Sequence, residues 1–342
     1  MLSFDRRTAC FRVKRSRRNQ ACNGRANPFE TAVEARPALL RFVRTRLSQS
    51  RIASQLHNSD SRNCNPFRTD HGARQMSYGK TRQRRNAVKL ANAEGKTAVG
   101  IGVQTNSPDM VEMAAAANFD FVYLDLEHGS FGFDAAIHLI RAAEASGITP
   151  LVRVPDHTPS LIMRVLDAGA MGVIVPNVKS AGEAQSVVSA AKYTWNSNGG
   201  SRGACPGTRA TWHQVRDWQE FSIASNNETS VWLLLESPKA LQTVDEIVKV
   251  PGIDAIMLGP FDLAHALGLP GQTTHEVVIE ACREISAKAR NSGIEIVWTM
   301  FSGTTAQEQE EFIATMDARI VIAGTDRRIV MTALRERHFG ST

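Results

Sequence analysis

The chain has 342 residues, 42% of them apolar, which is enough for one large folded body or two average ones. No run of about 18 apolar residues occurs, so no helical membrane span is expected, and an aromatic content of 6% leaves no stacking platform for nucleic acid. The net charge of +6 hides an uneven split: residues 1–85 carry 20 Lys+Arg against 5 Asp+Glu, whereas residues 86–342 carry 20 against 29.

Segment 1–85 is acid-poor and rich in Arg, Asn and Ser. Such a composition cannot bury enough apolar surface to offset chain entropy. It reads as a disordered extension, or as a mitochondrial targeting peptide carried by the basic amphipathic stretch 37–56. The first reading leaves the protein in the cytoplasm; the second sends it to the mitochondrion. Contact with nucleic acid through charge alone is a further alternative, opposed by the acidic body. The five cysteines, Cys10, Cys22, Cys64, Cys205 and Cys282, form no CxxC pair. They suggest neither a zinc site nor a disulfide framework, and the set fits a reducing compartment.

From about residue 86 the pattern becomes regular, and residues 86–342 read as one domain. Short apolar runs at 97–103, 119–126, 149–154, 172–178, 231–237, 254–260, 294–300 and 318–326 predict eight strands. Between them lie helical patterns: one opened by Ser107 and Pro108, then 133–147 stopped by Gly147, 158–170, and 180–193 opened by Ser180. Further helices are expected at 238–249, 273–291, 303–315 and 326–337. A long polar loop, "TWNSNGGSRGACPGTRATW" (194–212), and a short helical piece precede the fifth strand. The strands are apolar throughout rather than alternating, as parallel strands covered on both faces should be. Their number and the helices between them predict a (β/α)8 TIM barrel. A doubly wound open sheet is the alternative; it would favour a glycine-rich phosphate loop after the first strand, and "GIGVQTN" offers no GxGxxG.

Barrel chemistry sits at the C-terminal ends of the strands. There the apolar runs break into Asp125, Glu127 and His128 after strand two, Arg153 at strand three, Glu236 after strand five and Asp262 just past strand six. Each alone has an ordinary structural use as a cap, turn or ion-pair residue; together they mark one rim. Glu236 and Asp262 are two hard carboxylates suited to Mg²⁺ or another hard divalent ion with water and substrate as its other ligands. A histidine beside a carboxylate suits proton transfer near neutral pH. Arg153 offers a positive fork for a carboxylate or enolate. The set suits proton abstraction or C–C cleavage next to a carbonyl. A Schiff-base mechanism would need a desolvated lysine on an inward strand position; Lys179, in the loop after strand four, is the nearby candidate.

The motifs "LDLEHGSF", "PLVRVP", "VLDAGAMGVIVPNV", "SRGACPGTRA", "LLLESPKAL", "VPGIDAIMLGPFDLAHALG" and "AGTD" occur in this order over about residues 95–337. The body thereby resembles the HpcH/HpaI family of class II, pyruvate-dependent aldolases, which act on 4-hydroxy-2-oxoheptanedioate, 2-dehydro-3-deoxyglucarate and similar 2-oxo acids. The resemblance implies that Glu236 and Asp262 hold a divalent metal, Mg²⁺, Mn²⁺ or Co²⁺, and that Arg153 holds pyruvate and steadies its enolate. It implies that His128 acts on a metal-bound water and that the acidic residues Asp125 and Asp167 orient it. It places Gly203, Ala204 and Cys205 in a loop closing over the pyruvate carboxylate. It also implies a homo-oligomer, commonly a hexamer, with the last helix (326–338) exchanged between subunits. The implied reaction is cleavage of a 4-hydroxy-2-oxo acid to pyruvate and an aldehyde; oxaloacetate decarboxylation or a macrophomate-synthase-like reaction uses the same enolate. Three positions depart from the family pattern: Leu234 stands where a Gln is frequent, "YTW" (193–195) replaces "YPP", and strand one lacks its frequent aromatic.

Overall fold

The computed structural model describes residues 84–194, 199–301 and 304–338. The expected extension over 1–85 therefore lies almost wholly outside the described residues, as does its targeting stretch.

Eight parallel strands close into a barrel in the order of the chain. They are β1 (Ala98–Val103), β2 (Phe121–Asp125), β3 (Thr149–Arg153), β4 (Gly172–Val175), β5 (Ser230–Leu235), β6 (Ala255–Leu258), β7 (Glu295–Thr299) and β8 (Ile320–Thr325). Seven lie within runs expected from sequence, and β5 begins at Ser230, one residue before its run. The described helices are α1 (Ala87–Ala93), α2 (Pro108–Ala116), α3 (Phe133–Ser146), α4 (Pro159–Asp167), α5 (Ala181–Ala191), α6 (Trp218–Glu228), α7 (Pro238–Ile247), α8 (Pro260–Ala266), α9 (Glu276–Asn291), α10 (Ala306–Thr315) and α11 (Asp326–Arg337). No described helix is long and apolar enough to cross a membrane.

Helix boundaries obey local chemistry. Ser107 and Ser180 accept hydrogen bonds from the backbone N–H groups of Met110 and Glu183, and Gly147 ends α3 in the left-handed conformation. The strands are buried on both faces. Inward side chains of Phe121, Leu151, Ile174, Trp232, Leu234, Met257, Val297, Ile320 and Ile322 fill the barrel, with Phe121 edge-on to Trp232 at 5.4 Å between centroids. Outward residues such as Val122, Leu124, Val152, Leu233 and Ile296 pack beneath the helices. Each fully buried aliphatic side chain contributes roughly 1.5–3 kcal/mol.

The short helix α1 is an element that the sequence pattern does not announce. It lies under the N-terminal ends of the strands. Asn86 caps it, is buried, and donates to Met171 O, Glu228 O and Ser230 Oγ at 2.9–3.1 Å. Val88 joins the inner cluster. Arg84 and Arg85 already pair with Glu144 and Glu228, so the folded body begins before residue 86.

Candidate active site

The C-terminal ends of β2 and β3 are in register, with Asp125 opposite Arg153. Inward direction alternates along a strand, and both residues share the inner face with Tyr123 and Leu151 below them. Asp125 is fully buried. It accepts from Arg153 Nε at 2.9 Å and Nη2 at 2.6 Å, from Gln104 Nε2 at 2.9 Å, and from the backbone N–H groups of Glu127 and His128 at 3.1 Å each. Burial alone would raise its pKa; the hydrogen bonds and charge of Arg153 outweigh it and hold the carboxyl below its ordinary range. Burial opposes the charge of Arg153 in turn, and Asp125 more than restores it. Arg153 also reaches Glu127 Oε2 with Nη1 at 3.3 Å, and its guanidinium lies 5.5 Å from the Tyr123 ring centroid.

The turn after β2 carries Glu127 and His128. The His128 imidazole is exposed, with Nε2 3.8 Å from Glu127 Oε2. Burial pushes Glu127 up against the pull of Arg153 and His128. Across the mouth, Glu236 stands one residue past β5 and accepts from the Asn177 N–H at 2.9 Å. Asn177 adopts the left-handed conformation, φ 57°, that Asn tolerates better than most residues. Asp262 lies in the first turn of α8 and is exposed. Gly259 separates the two: a Cβ there would come 2.4 Å from Glu236 Cβ. Burial, then the charges of Asp262 and Glu127, push Glu236 up to about 7. The rim thus joins Asp125, Glu127, His128, Arg153, Glu236 and Asp262, with carboxylates in electrostatic contact around one arginine. Among the described residues, no group of three or more His, Cys, Asp and Glu could hold a metal ion.

Four expected residues do not join this rim within one chain. Asp167 ends α4 and pairs with Arg202 Nη2 at 2.7 Å; the carboxylate facing His128 is that of Glu127. Gly203, Ala204 and Cys205 are exposed in a loop tied to Asp167 O by Ala210 N–H, to Lys192 O by Arg202 N–H and to Ser189 O by Ser201 N–H. These anchors are ends of α4 and α5, which lead back to the starts of β4 and β5. The loop comes after a helix, so it belongs to the N-terminal face, opposite the strand ends. A cavity of about 90 Å³ on that face, lined in part by Arg84, Met171, Arg202 and Trp212, is likewise remote from the rim. Lys179 sits in the loop after β4, its N–H bonded to Glu183. His265 is a residue of α8.

Four contributors carry no individual role from the sequence, although Glu127 was already placed at the rim. Gln104 continues the inward face of β1 by the period of two, which could have marked it. Glu127 was visible within "DLEH". Tyr123 reads as a core aromatic, and Asn177 acts through its backbone, so neither carried a signal.

A closed parallel barrel with charged groups converging at its C-terminal mouth defines a (β/α)8-barrel enzyme. The chain belongs to the HpcH/HpaI aldolase/citrate lyase family, whose model matches residues 99–333. It is 30% identical over 253 residues to the 2-keto-3-deoxy-L-rhamnonate aldolase of Klebsiella pneumoniae subsp. pneumoniae, covering 72% of this chain and 92% of that protein. The HpcH/HpaI aldolase of Desulfitobacterium hafniense DCB-2 has a similar structure, with TM-score 0.66, 29% identity, and coverage of 73% of this chain and 94% of that one. Macrophomate synthase is similar at TM-score 0.60 and 27% identity, covering 73% and 87% respectively.

Proposed function

We propose that the chain is a divalent-metal-dependent aldolase that cleaves a 4-hydroxy-2-oxo acid to pyruvate and an aldehyde. The observation that carries this reading is the meeting of the Asp125–Arg153 pair with Glu236 and Asp262 at one mouth. The donor set fits a hard dication. Glu236 is pushed up to about 7 by burial and by neighbouring negative charge, a surplus that a bound cation would relieve. Mg²⁺ sites commonly use one or two carboxylates and leave the remaining positions to water and substrate oxygens. When bound, a divalent ion supplies Lewis-acid polarisation of the 2-oxo group.

Arg153, held by Asp125, directs its remaining N–H groups at the keto acid's carboxylate and at the enolate charge as it builds. His128, through water, takes the proton of the C4 hydroxyl while the C3–C4 bond breaks. The bonding electrons pass into the enolate, the aldehyde leaves, and C3 is reprotonated to give pyruvate. Asp125 positions: it holds Arg153 and the two N–H groups of the turn that carries His128. The relatives named as aldolases of 2-keto-3-deoxy acids support the substrate class. Decarboxylation of oxaloacetate through the same enolate is a second reading. It is favoured by Leu234, which removes a polar contact near the metal position, and by the likeness to macrophomate synthase.

The protein works as a homo-oligomer in this reading. α11 exposes Ile329, Val330, Met331 and Leu334 at 42–60%, an apolar face suited to a second copy. The roles implied for Asp167, Gly203, Ala204 and Cys205 then require a neighbouring subunit, because one chain carries them on the face opposite its own rim. The test is pyruvate release from 4-hydroxy-2-oxo acids and from oxaloacetate, with and without EDTA. Activity that survives EDTA, or no pyruvate from any of these acids, would overturn the proposal.

A further inference from the structure

Gly102 and Tyr123 are register partners on β1 and β2. A Cβ at Gly102 would stand 2.5–2.6 Å from Cζ, Cε1 and Oη of Tyr123, closer than carbon atoms approach. Gly102 has no positive φ. The glycine is therefore there for space: its absent side chain is the room in which the Tyr123 ring lies. The ring is 3% exposed, so it cannot swing into solvent. It also lies beneath Arg153, whose Cζ is 5.5 Å from the ring centroid.

The guanidinium is thus held from distinct directions. Asp125 grips Nε and Nη2, and Glu127 approaches Nη1. These bonds hold edges. A planar cation with bonded edges can still tilt about them, and an aromatic face opposes that tilt through its quadrupole. Burial pushes the Tyr123 phenol up to about 12, so the ring stays neutral at working pH and adds no charge to the rim.

We propose that Tyr123, seated in the space left by Gly102, is a positioning residue that holds the Arg153 guanidinium at the angle at which it receives the keto acid. The inference rests on the reading of Arg153 as the pyruvate-binding group. A leucine at 123 would fill part of the volume but present no ring face, whereas phenylalanine would keep it.

The test uses the full chain and measures kcat and KM for pyruvate release from 2-oxo acids. Tyr123→Phe and Tyr123→Leu are made in the native background and beside Arg153→Lys, with thermal melting of each variant. Tyr123→Phe should keep near-native values. Tyr123→Leu should lose about 5- to 30-fold in kcat/KM, the range of a desolvated cation–aromatic contact. That loss should largely vanish beside Arg153→Lys, because the two residues act as one unit. Gly102→Ala should cause a loss of its own, and add little once Tyr123→Leu has removed the ring. A folded Tyr123→Leu variant with native kcat/KM, or with the same fold-loss in both backgrounds, would overturn the inference. A native protein that releases no pyruvate from any 2-oxo acid would remove the reading of Arg153 and this inference with it.

Discussion

Asp125 and Arg153 stand opposite one another on neighbouring strands and share two hydrogen bonds of 2.9 and 2.6 Å, with the carboxylate fully buried. The pair is a structural element of the fold and, in the proposed reading, a functional one. Its burial makes each partner costly without the other, and at the rim Nη1 and Nη2 each keep an N–H beyond their contacts with Glu127 and Asp125. Arg153→Ala should therefore fail twice. Stability should fall by about 3–5 kcal/mol in urea unfolding, because Asp125 is left buried and uncompensated. Turnover should fall by about 10²–10³-fold, the effect of losing one preorganised donor to a developing oxyanion. Arg153→Lys keeps the charge but not the fork; it should recover most of the stability and little of the turnover. Near-native turnover in either variant would contradict the assigned role.

Metal binding and stability should move in opposite directions at Glu236. Its pKa of about 7 in the fold lies above the 4.5 of a free glutamate, through burial and the charges of Asp262 and Glu127. The folded state then binds the proton more tightly than the unfolded chain, so metal-free stability falls as the pH rises from 4.5 towards 7. Glu236→Gln removes that loss. In metal-free protein at about pH 8 it should raise the unfolding free energy by up to about 3 kcal/mol, while bound metal and pyruvate release disappear. Elemental analysis beside urea unfolding would check both halves, and a variant that kept its metal would refute the ligand assignment.

The legible parts of the fold and site share one property. Asp125, Arg153, Glu236 and Asp262 interrupt or terminate apolar runs, so a strand's end and its place in the candidate site were readable from the same letters. Gln104 and Tyr123 were not, because a glutamine after a strand and a tyrosine within one are ordinary. Helix α1 was not, because seven residues with Val88 as the one buried side chain give no period to detect. The position of Asp167 and Cys205 was readable from topology alone: in a βα repeat, the loop after a helix returns to the N-terminal face. Family resemblance drew Asp167 to His128 and Cys205 to the pyruvate instead, and one chain cannot satisfy both placements.

That conflict gives a prediction about assembly. If Asp167 and its loop act on the rim of a neighbouring copy, a site needs an intact Arg153 from one chain and an intact Asp167 from another. Arg153→Ala and Asp167→Asn should each abolish most activity alone. Oligomers mixed from the two should regain it, with roughly a quarter of sites carrying both intact halves under random assembly. Mixed oligomers as inactive as the parents would place both roles within one chain or remove Asp167 from the chemistry.

On the opposite face, Lys192 offers a test of burial alone. Its ammonium is mostly buried and donates to Asn226 O at 2.7 Å and Thr229 O at 2.6 Å. Burial lowers its pKa to about 8 despite the attraction of Asp254, whereas an unfolded chain would keep it near about 10.4. Between these values the unfolded state binds more protons than the folded one, so this group makes stability rise with pH across that window. Its contribution should grow by up to about 3 kcal/mol between about pH 8 and about pH 10.4. Lys192→Met lacks the titrating group. The difference in unfolding free energy between the native protein and the variant, measured in urea at both ends of the window, should therefore shift in favour of the native protein at high pH. A pH-independent difference would mean that Lys192 keeps an ordinary pKa in the fold, and that solvent reaches it more freely than its surroundings indicate.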